Sequence, residues 1–446
     1  MSTEHSLTKQ QKESVFLLQI GTFLEYFDLM LYVHMAVVLN ELFFPPTDPQ
    51  MASVLAAFAF CSTYVLRPFG AFIFGYIGDN YGRKPTVIIT TTIMALCCLM
   101  MANLPTYAEI GIKAAVIVSV LRIMQGMSSM GEIMGARIYI TEITKPPIQY
   151  LSVSFISIAS TIGSMFALGI ATLTTQSGFN WRLAFWFGVV IAIIGIVART
   201  KLRETPEFAN AKYKMKRAIE SATNNGLKKP AELLKSTNFL AKEKVSIRSF
   251  CYFLGIYLGW PLCFYLIYVF FTPILKNSCG YSSEDVIFHN FLLSIIAIFR
   301  TVILALFSYK IYPIYISKLL IYVFATIILI LPFFLGLEPS NYQIFAIQAL
   351  IAIFGISSTP TDAIFIKHFP VFQRFTAVTF GYALSRAIMY IIISFGLVFL
   401  TRWLGYYGIW IIALPITFLW LKSISYYESL EEEAENSPQK GEWQVR

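Results

Sequence analysis

Apolar segments long enough to cross a bilayer recur along this chain of 446 residues, and no other feature constrains its fold as strongly. A membrane-spanning helix needs about 20 consecutive, mostly apolar residues. Such segments occupy residues 15–39, 51–77, 86–104, 112–140, 150–173 and 182–200, and then 249–275, 286–312, 317–337, 342–367, 371–400 and 405–425. The sequence therefore predicts an all-α membrane protein with twelve transmembrane helices in two six-helix halves.

Five regions follow from the order of these segments. They are a cytoplasmic N-terminal tail (1–14), an N-terminal six-helix bundle (15–200), a cytoplasmic linker (201–248), a C-terminal six-helix bundle (249–425) and a cytoplasmic acidic tail (426–446). The linker is basic, and it is interpreted either as surface helices beside anionic lipid or as a plain connection. The tail is acidic and has no sustained apolar heptad, so it is predicted to be disordered.

The amount and the placement of charge exclude other classes of protein. Only 13% of the residues are charged and 57% are hydrophobic, whereas a soluble domain has about 25% charged residues. The net charge of +9 would suit a nucleic-acid partner. The lysines and arginines, however, lie mostly in short segments on one side of the predicted helices, which is typical of cytoplasmic loops. We therefore expect a lipid bilayer as the environment, both termini in the cytoplasm and no nucleic-acid partner.

Patterns typical of metal binding or catalysis are missing from the sequence. The six cysteines form no C-x-x-C pair and join no histidine cluster. Residues 82–86 lack the spacing of a phosphate-binding loop, and no Ser/His, H-E-x-x-H or paired-aspartate arrangement is found. The sequence indicates no metal, no cofactor and no enzymatic activity.

A glycine-rich segment with charged residues connects the second and third predicted helices. It begins at Arg67 and continues through Gly75, Gly78, Asp79 and Gly82 to Arg83 and Lys84. Glycines allow helices to approach closely and the chain to turn sharply. Asp79 and Arg83 could then form charge-assisted hydrogen bonds to a neighbouring helix end. This segment resembles the short loop between helices two and three of the major facilitator superfamily.

Further segments resemble one branch of that superfamily, the metabolite:proton symporter family, which includes proline/betaine and α-ketoglutarate porters. They are Gly21, Glu25, Tyr26, Phe27, Asp28 and Tyr32 in the first helix, residues 121–128 with Gly131 and Glu132 in the fourth, and Trp181, Arg182, Arg199 and residues 204–208 around the sixth. The C-terminal half matches less well, because residues 307–313 lack the Asp, Gly and Arg of the repeated loop.

The resemblance implies a major facilitator fold and import of a small polar organic solute by proton symport and alternating access. The solute would be an amino acid or betaine zwitterion, or a carboxylate. A proton-antiport exporter on the same fold is the first alternative, and a non-transporting membrane sensor is the second. The resemblance also implies a bacterial inner (plasma) membrane, and a monomer is expected.

Several ionisable side chains lie at membrane depth, where a charge costs about 2.5–3.5 kcal/mol and therefore needs a partner, water or a function. Two readings stay open: these charges surround a wet cavity, or they pair across the bundle. For the first, the candidate substrate-binding residues are Arg122, Arg300, Arg386, Tyr32, Gln125, Tyr265 and Tyr382. Glu25 or Asp28 would carry the coupled proton. The candidate cytoplasmic gate consists of Asp79, Arg83, Glu132, Arg137 and Glu142.

Overall fold

The computed structural model describes residues 6–34, 39, 42–44, 64–176, 180–224, 244–277 and 279–435, and the regular elements in these ranges are all helices. The first part of the second predicted segment, residues 225–243 of the linker and the end of the acidic tail lie outside the described residues. The labelled helices are α1 Lys9–His34, α2 Arg67–Asn80, α3 Arg83–Asn103, α4 Ile112–Ile143, α5 Ile148–Gln176, α6 Trp181–Thr200, α7 Pro206–Asn224, α8 Ile247–Tyr265, α9 Thr272–Asn277, α10 Ser283–Lys310, α11 Pro313–Leu335, α12 Asn341–Phe354, α13 Asp362–Lys367, α14 Val371–Ile391, α15 Val398–Leu404 and α16 Gly408–Glu433.

Most helices coincide with the apolar segments of the sequence, but three departures have local causes. The segment 342–367 is not one helix: α12 ends at Phe354 and α13 begins at Asp362. Gly355 and Pro360 lie in the interruption, and proline cannot continue a helical hydrogen-bond ladder. The segments 249–275 and 371–400 each continue through a π-helical stretch, Leu266–Phe270 and Ile392–Leu397. The last helix, α16, extends to Glu433, past the predicted end at residue 425.

Eight helical segments among the described residues are long and apolar enough to cross a membrane. Two shorter apolar helices, Trp181–Val197 and Asn341–Phe354, lie beside them. Large apolar side chains face outward along these helices; Phe299 and Leu319, for example, are each 65% exposed. Such a surface suits lipid and not water. The chain is therefore a multi-pass membrane protein, while the number of twelve spans stays a prediction.

The two halves of the chain pack against each other along two pairs of helices. Helix α2 packs on α14, and α5 packs on α10. The first contact depends on glycine, because a Cβ atom at Gly75 would lie 2.7 Å from the Cα atom of Thr376. Close backbone approach of this kind is what small residues permit between membrane helices. The interface between the halves is where the candidate site lies.

Candidate substrate cavity and inter-half contacts

A cavity of about 130 Å³ lies between the two halves. Helices α1, α4 and α5 form one wall, and α8, α10, α12, α14 and the interruption after α12 form the other. The lining is rich in hydroxyl groups and aromatic rings, with three arginines among them. The polar and aromatic lining residues are Tyr26, Arg137, Ser157, Ser160, Thr161, Ser164, Tyr257, Trp260, Phe264, Tyr268, Ser294, Arg300, Thr301, Ser357, Ser358, Thr359 and Arg386.

Arg300 and Arg386, both predicted to bind substrate, line this cavity. The Nη2 atom of Arg300 donates to the carbonyl of Gly355 at 2.5 Å, at the point where α12 ends. The guanidinium of Arg386 lies 4.2 Å from the ring centre of Trp260 and 4.4 Å from that of Tyr382. Among the described residues, no carboxylate oxygen lies within ion-pair distance of either arginine. Their positive charges are therefore available to a ligand.

The charged side chains that line the cavity, within the described residues, are all cationic. Three arginines line it, and within the described part of the chain no aspartate or glutamate does. Arg137 is paired with Asp362 at the cavity wall, so the unbalanced charge belongs to Arg300 and Arg386. Arginine presents a planar array of donors that matches a carboxylate. The surrounding serine and threonine hydroxyls add neutral hydrogen-bonding groups. This lining is suited to a small organic anion.

Glu25 lies on α1 behind this lining and is buried, with 1% of its surface exposed. Neither of its carboxylate oxygens has a hydrogen-bond partner among the described residues. The hydroxyl of the nearby Ser129 donates instead to the carbonyl of Gly126 at 2.8 Å. Arg67 and Arg386 are the cationic groups whose charge acts on Glu25. A carboxylate in such a position is costly when ionised and readily holds a proton.

Arg137 joins the halves at the cavity wall. Its Nη1 atom lies 3.2 Å from Oδ2 of Asp362, which belongs to the other half. The Tyr257 hydroxyl donates to Oδ1 of Asp362 at 2.5 Å. Within its own half, Arg137 donates to Ser157 at 3.2 Å. The Ser157 hydroxyl in turn lies 2.7 Å from the hydroxyl of Thr359, which belongs to the other half. We call Arg137, Ser157, Tyr257, Thr359 and Asp362 the Arg137 bridge.

A second inter-half contact lies at the end of α2. The Arg83 Nη2 atom is 2.9 Å from Glu142, and Glu142 is 3.0 Å from Arg374 of the other half. Asp79 accepts the backbone N–H groups of Phe375 and Thr376 at 3.0 and 2.9 Å. Glu207, in the first turn of α7, lies 2.7 Å from Arg374. This group, called the Arg83 cluster (Asp79, Arg83, Glu142, Glu207 and Arg374), holds the halves together at that end.

A family model described as Major Facilitator Superfamily matches residues 18–361, which is most of the chain. The chain belongs to the major facilitator superfamily. The predicted all-α membrane fold is confirmed by this match and by likeness to solved structures of the superfamily. One of them, the proton:xylose symporter XylE bound to 6-bromo-6-deoxy-D-glucose, has a TM-score of 0.73 at 16% identity and covers 94% of this chain and 95% of that one.

Curated relatives within the superfamily cover less of the chain. The proline/betaine transporter of Salmonella typhimurium is 27% identical over 272 residues, which are 59% of this chain and 53% of that protein. The inner membrane metabolite transport protein YhjE of Escherichia coli is 36% identical over 208 residues, 44% of this chain and 47% of that protein. The chain thus spans about half the length of the curated relatives it matches. Their names confirm the resemblance to metabolite transporters and the prediction that the chain is not an enzyme.

Three predicted substrate ligands lie apart from the cavity lining and surround Asp28 instead. Arg122 is 3.1 Å from Asp28, and Gln125 donates to the same carboxylate at 3.0 Å. The ring of Tyr32 lies 4.0 Å from the Arg122 guanidinium. These residues all belong to α1 and α4, so their charges are balanced within one half. Asp28 therefore differs from Glu25, which has no such partner.

Two predicted gate residues do not join the Arg83 cluster. Glu132 pairs with the buried Arg199 of α6 and accepts from Thr90 and Thr91 at 2.8 and 2.6 Å. Arg137 lies more than one helical turn from Glu142 along α4, at the cavity, where it forms the Arg137 bridge. Helical periodicity separates both from Glu142 along α4. The other two predicted ligands, Tyr382 and Tyr265, are buried and are not among the lining residues either, although Tyr382 packs on Arg386, which is.

The sequence reasoning missed Asp362 and the full role of Arg374. Asp362 is buried, with 1% of its surface exposed. It lies near the end of an apolar segment, where an acid is ordinarily read as part of a loop. The signal that would have found it is the sequence Thr359, Pro360, Thr361 before it, because proline and hydroxyl residues favour an interruption within a membrane helix.

Proposed function

We propose that this protein is a secondary transporter that imports a small organic anion, a carboxylate, together with a proton. The supporting observation is that two arginines lining the inter-half cavity, Arg300 and Arg386, have no carboxylate within ion-pair distance among the described residues, while the third, Arg137, is paired with Asp362. A zwitterion or a quaternary amine would leave this positive charge partly unbalanced. A carboxylate would satisfy the free donors of Arg300 and Arg386. The relatives named as transporters support transport as the activity.

Substrate binding would be coupled to proton binding because Glu25 and the substrate carboxylate share one guanidinium, that of Arg386. Arg386 lines the cavity and also acts electrostatically on Glu25. When Glu25 is ionised it competes with a substrate carboxylate for that positive charge. When Glu25 is protonated, Arg386 is available to the substrate. Proton and anion therefore bind cooperatively, and each raises the affinity for the other by the same factor.

Alternating access would proceed by movement of one half relative to the other around the cavity. The structure is joined at the Arg83 cluster and at the Arg137 bridge. In the proposed orientation the Arg83 cluster faces the cytoplasm of a bacterial cell, because the basic loops lie at that end. Opening toward the cytoplasm requires both contacts to break. A proton-antiport exporter would instead require the proton and the substrate to compete for the site, the opposite of the cooperative binding proposed here.

The arginines are tested by uptake into proteoliposomes under an imposed pH gradient. Arg300→Ala and Arg386→Ala are compared with Arg402→Ala, an exposed arginine outside the cavity. We expect each cavity variant to lower the apparent affinity for a carboxylate roughly 10- to 100-fold, because hydrogen bonds to charged groups contribute about 1.5–3 kcal/mol. Arg402→Ala should transport like the unmodified protein. Unchanged uptake by both cavity variants would remove the arginine proposal.

The substrate class is tested separately by thermal stability of the purified protein. Dicarboxylates, tricarboxylates, amino acids and betaines are added one at a time, since a ligand that binds the native state raises its melting temperature. We expect carboxylates to stabilise the protein, and Arg386→Ala to abolish that effect. Stabilisation by betaines alone would contradict the proposed anion.

A further inference from the structure

A second cavity, of about 310 Å³, lies at the end of the bundle that carries the Arg83 cluster. It is formed by the first turns of α1 and by the residues that follow α6. Its lining is mostly polar, and its basic residues outnumber its acidic ones. The lining residues are Lys9, Gln10, Glu13, Ser14, Leu17, Lys201 and Arg203.

The walls of this cavity are fixed to the rest of the N-terminal half. Gln11 donates to the carbonyl of Ile143 at 2.5 Å, which holds the start of α1 beside the end of α4. The Tyr139 hydroxyl donates to the carbonyl of Arg203, which holds the chain after α6. Buried Arg199 reaches the carbonyl of Leu18 and ties α6 to α1. The basic side chains are therefore held near one another.

The charge of the cavity is not neutralised by the protein. In the described ranges, no carboxylate oxygen lies within 4.0 Å of the charged atoms of Lys9, Lys201 or Arg203. Glu13 also lines the cavity, so three cations face one anion. A phosphodiester would complement this excess of positive charge.

The surface beside the cavity is apolar. Phe16, on α1 between the lining residues Ser14 and Leu17, is 65% exposed, and Val197, on α6 one turn before Lys201, is 61% exposed. A ligand with a phosphate group at the basic residues would bring its hydrocarbon chains alongside these side chains. A soluble phosphate would use only the basic part. We propose that this cavity binds the headgroup of an anionic phospholipid from the leaflet at the Arg83 end.

The experiment compares lipid binding by two variants from which equal charge has been removed. One carries Lys9→Gln, Lys201→Gln and Arg203→Gln. The matched control carries Lys244→Gln, Arg248→Gln and Lys310→Gln, which removes two lysines and one arginine from exposed positions outside this cavity. All six side chains are exposed, so neither variant should lose its fold. Each protein is titrated with phosphatidylglycerol and with phosphatidylcholine, and bound lipid is counted by native mass spectrometry.

We expect the unmodified protein and the control to retain phosphatidylglycerol in preference to phosphatidylcholine. The cavity variant should bind phosphatidylglycerol at least about tenfold more weakly, since each basic residue near the headgroup adds to the electrostatic attraction for an anionic lipid. Equal loss in both variants would show a diffuse charge effect and overturn the site, as would no loss in either. Inorganic phosphate is added in a parallel series. Displacement of the lipid by millimolar phosphate would identify a soluble-anion site and also overturn the proposal.

Discussion

Glu25 and Asp28, the two predicted proton sites, differ in the partners of their carboxylate groups. Glu25 is buried, and its oxygens have no hydrogen-bond partner among the described residues. Asp28, only one turn away, has Arg122 and Gln125 within 3.1 Å. Proton binding to Asp28 would disturb its contacts with Arg122 and Gln125, whereas proton binding to Glu25 disturbs no hydrogen bond among the described residues. Of the two predicted proton sites, the geometry favours Glu25.

Replacing Glu25 by Gln should therefore separate solute movement from proton movement. Glutamine has the shape of the protonated acid, so binding of the anion by Arg386 should persist. We expect Glu25→Gln to exchange substrate across proteoliposome membranes at near-normal rates but to lose accumulation driven by a pH gradient. Glu220→Gln, on the exposed face of α7, serves as the control. Accumulation that still follows the pH gradient in Glu25→Gln would assign the proton to another group.

Single residues show what the sequence could and could not predict about the site. Arg300 and Arg386 line the cavity, and the sequence singles them out because an arginine in the middle of an apolar segment has few explanations. The position of Arg122 was not decided, because the sequence cannot tell a cavity from an ion pair with Asp28. Asp362 was missed because its partner, Arg137, lies in the other half of the chain. A contact between halves leaves no periodic signal in either segment.

The helices themselves followed closely from hydropathy, but their interruptions did not. Residues 342–367 are mostly apolar, so the pattern predicts one helix where the structure has α12 and α13. The carbonyl freed at Gly355 is satisfied by Arg300, a residue of α10. An unwound backbone is stable at this depth only when such a partner or water is present. The interruption therefore depends on a tertiary contact that hydropathy does not encode.

Packing of α1 against α6 depends on a glycine. A Cβ atom at Gly21 would overlap the guanidinium of Arg199 and the carboxylate of Glu132. These two side chains are buried and paired. Because breaking a buried pair costs about 3–5 kcal/mol, we expect Gly21→Ala to lower the melting temperature in detergent by several degrees.

The matched control is Gly169→Ala, on α5, where a Cβ atom would meet nothing within 4 Å. That substitution should be neutral or slightly stabilising, because alanine favours the helix over glycine by about 1 kcal/mol. Equal melting temperatures for the two variants would show that the Arg199–Glu132 pair accommodates the methyl group without breaking.

The orientation of the whole molecule in the membrane is open to a labelling test. Cys279 lies between α9 and α10, and Lys310 lies at the opposite end of α10. If the Arg83 end faces the cytoplasm, an impermeant maleimide should label Cys279 in intact cells. Lys310→Cys, made with Cys279→Ser and Cys251→Ser, should be labelled only in inside-out vesicles. The reverse pattern would invert the predicted topology and place both termini outside.

The proposed alternating access would give the Arg137 bridge a role in the movement of the two halves. The bridge and the Arg83 cluster form two successive contacts between the halves, and the bridge is the one that lies at the cavity. Asp362→Asn leaves Arg137 buried without a carboxylate, a change that costs about 3–5 kcal/mol and exceeds typical differences between conformational states. We expect Asp362→Asn to shift the population toward the state open at the Arg83 end.

Spin labels on Asn80→Cys and Lys310→Cys measure this shift, because these residues end α2 and α10 in different halves at that end. Double electron–electron resonance should show a longer distance for Asp362→Asn than for the protein with its native bridge. Asp285→Asn, an exposed cap of α10 outside the bridge, should leave the distance unchanged. The exchanged pair Arg137→Asp with Asp362→Arg should restore the shorter distance, since it rebuilds an ion pair between the same two positions with its polarity reversed. If Asp362→Asn and the native bridge give one distance distribution, the Arg83 cluster alone closes that end, and the Arg137 bridge serves only to position Arg137 at the substrate.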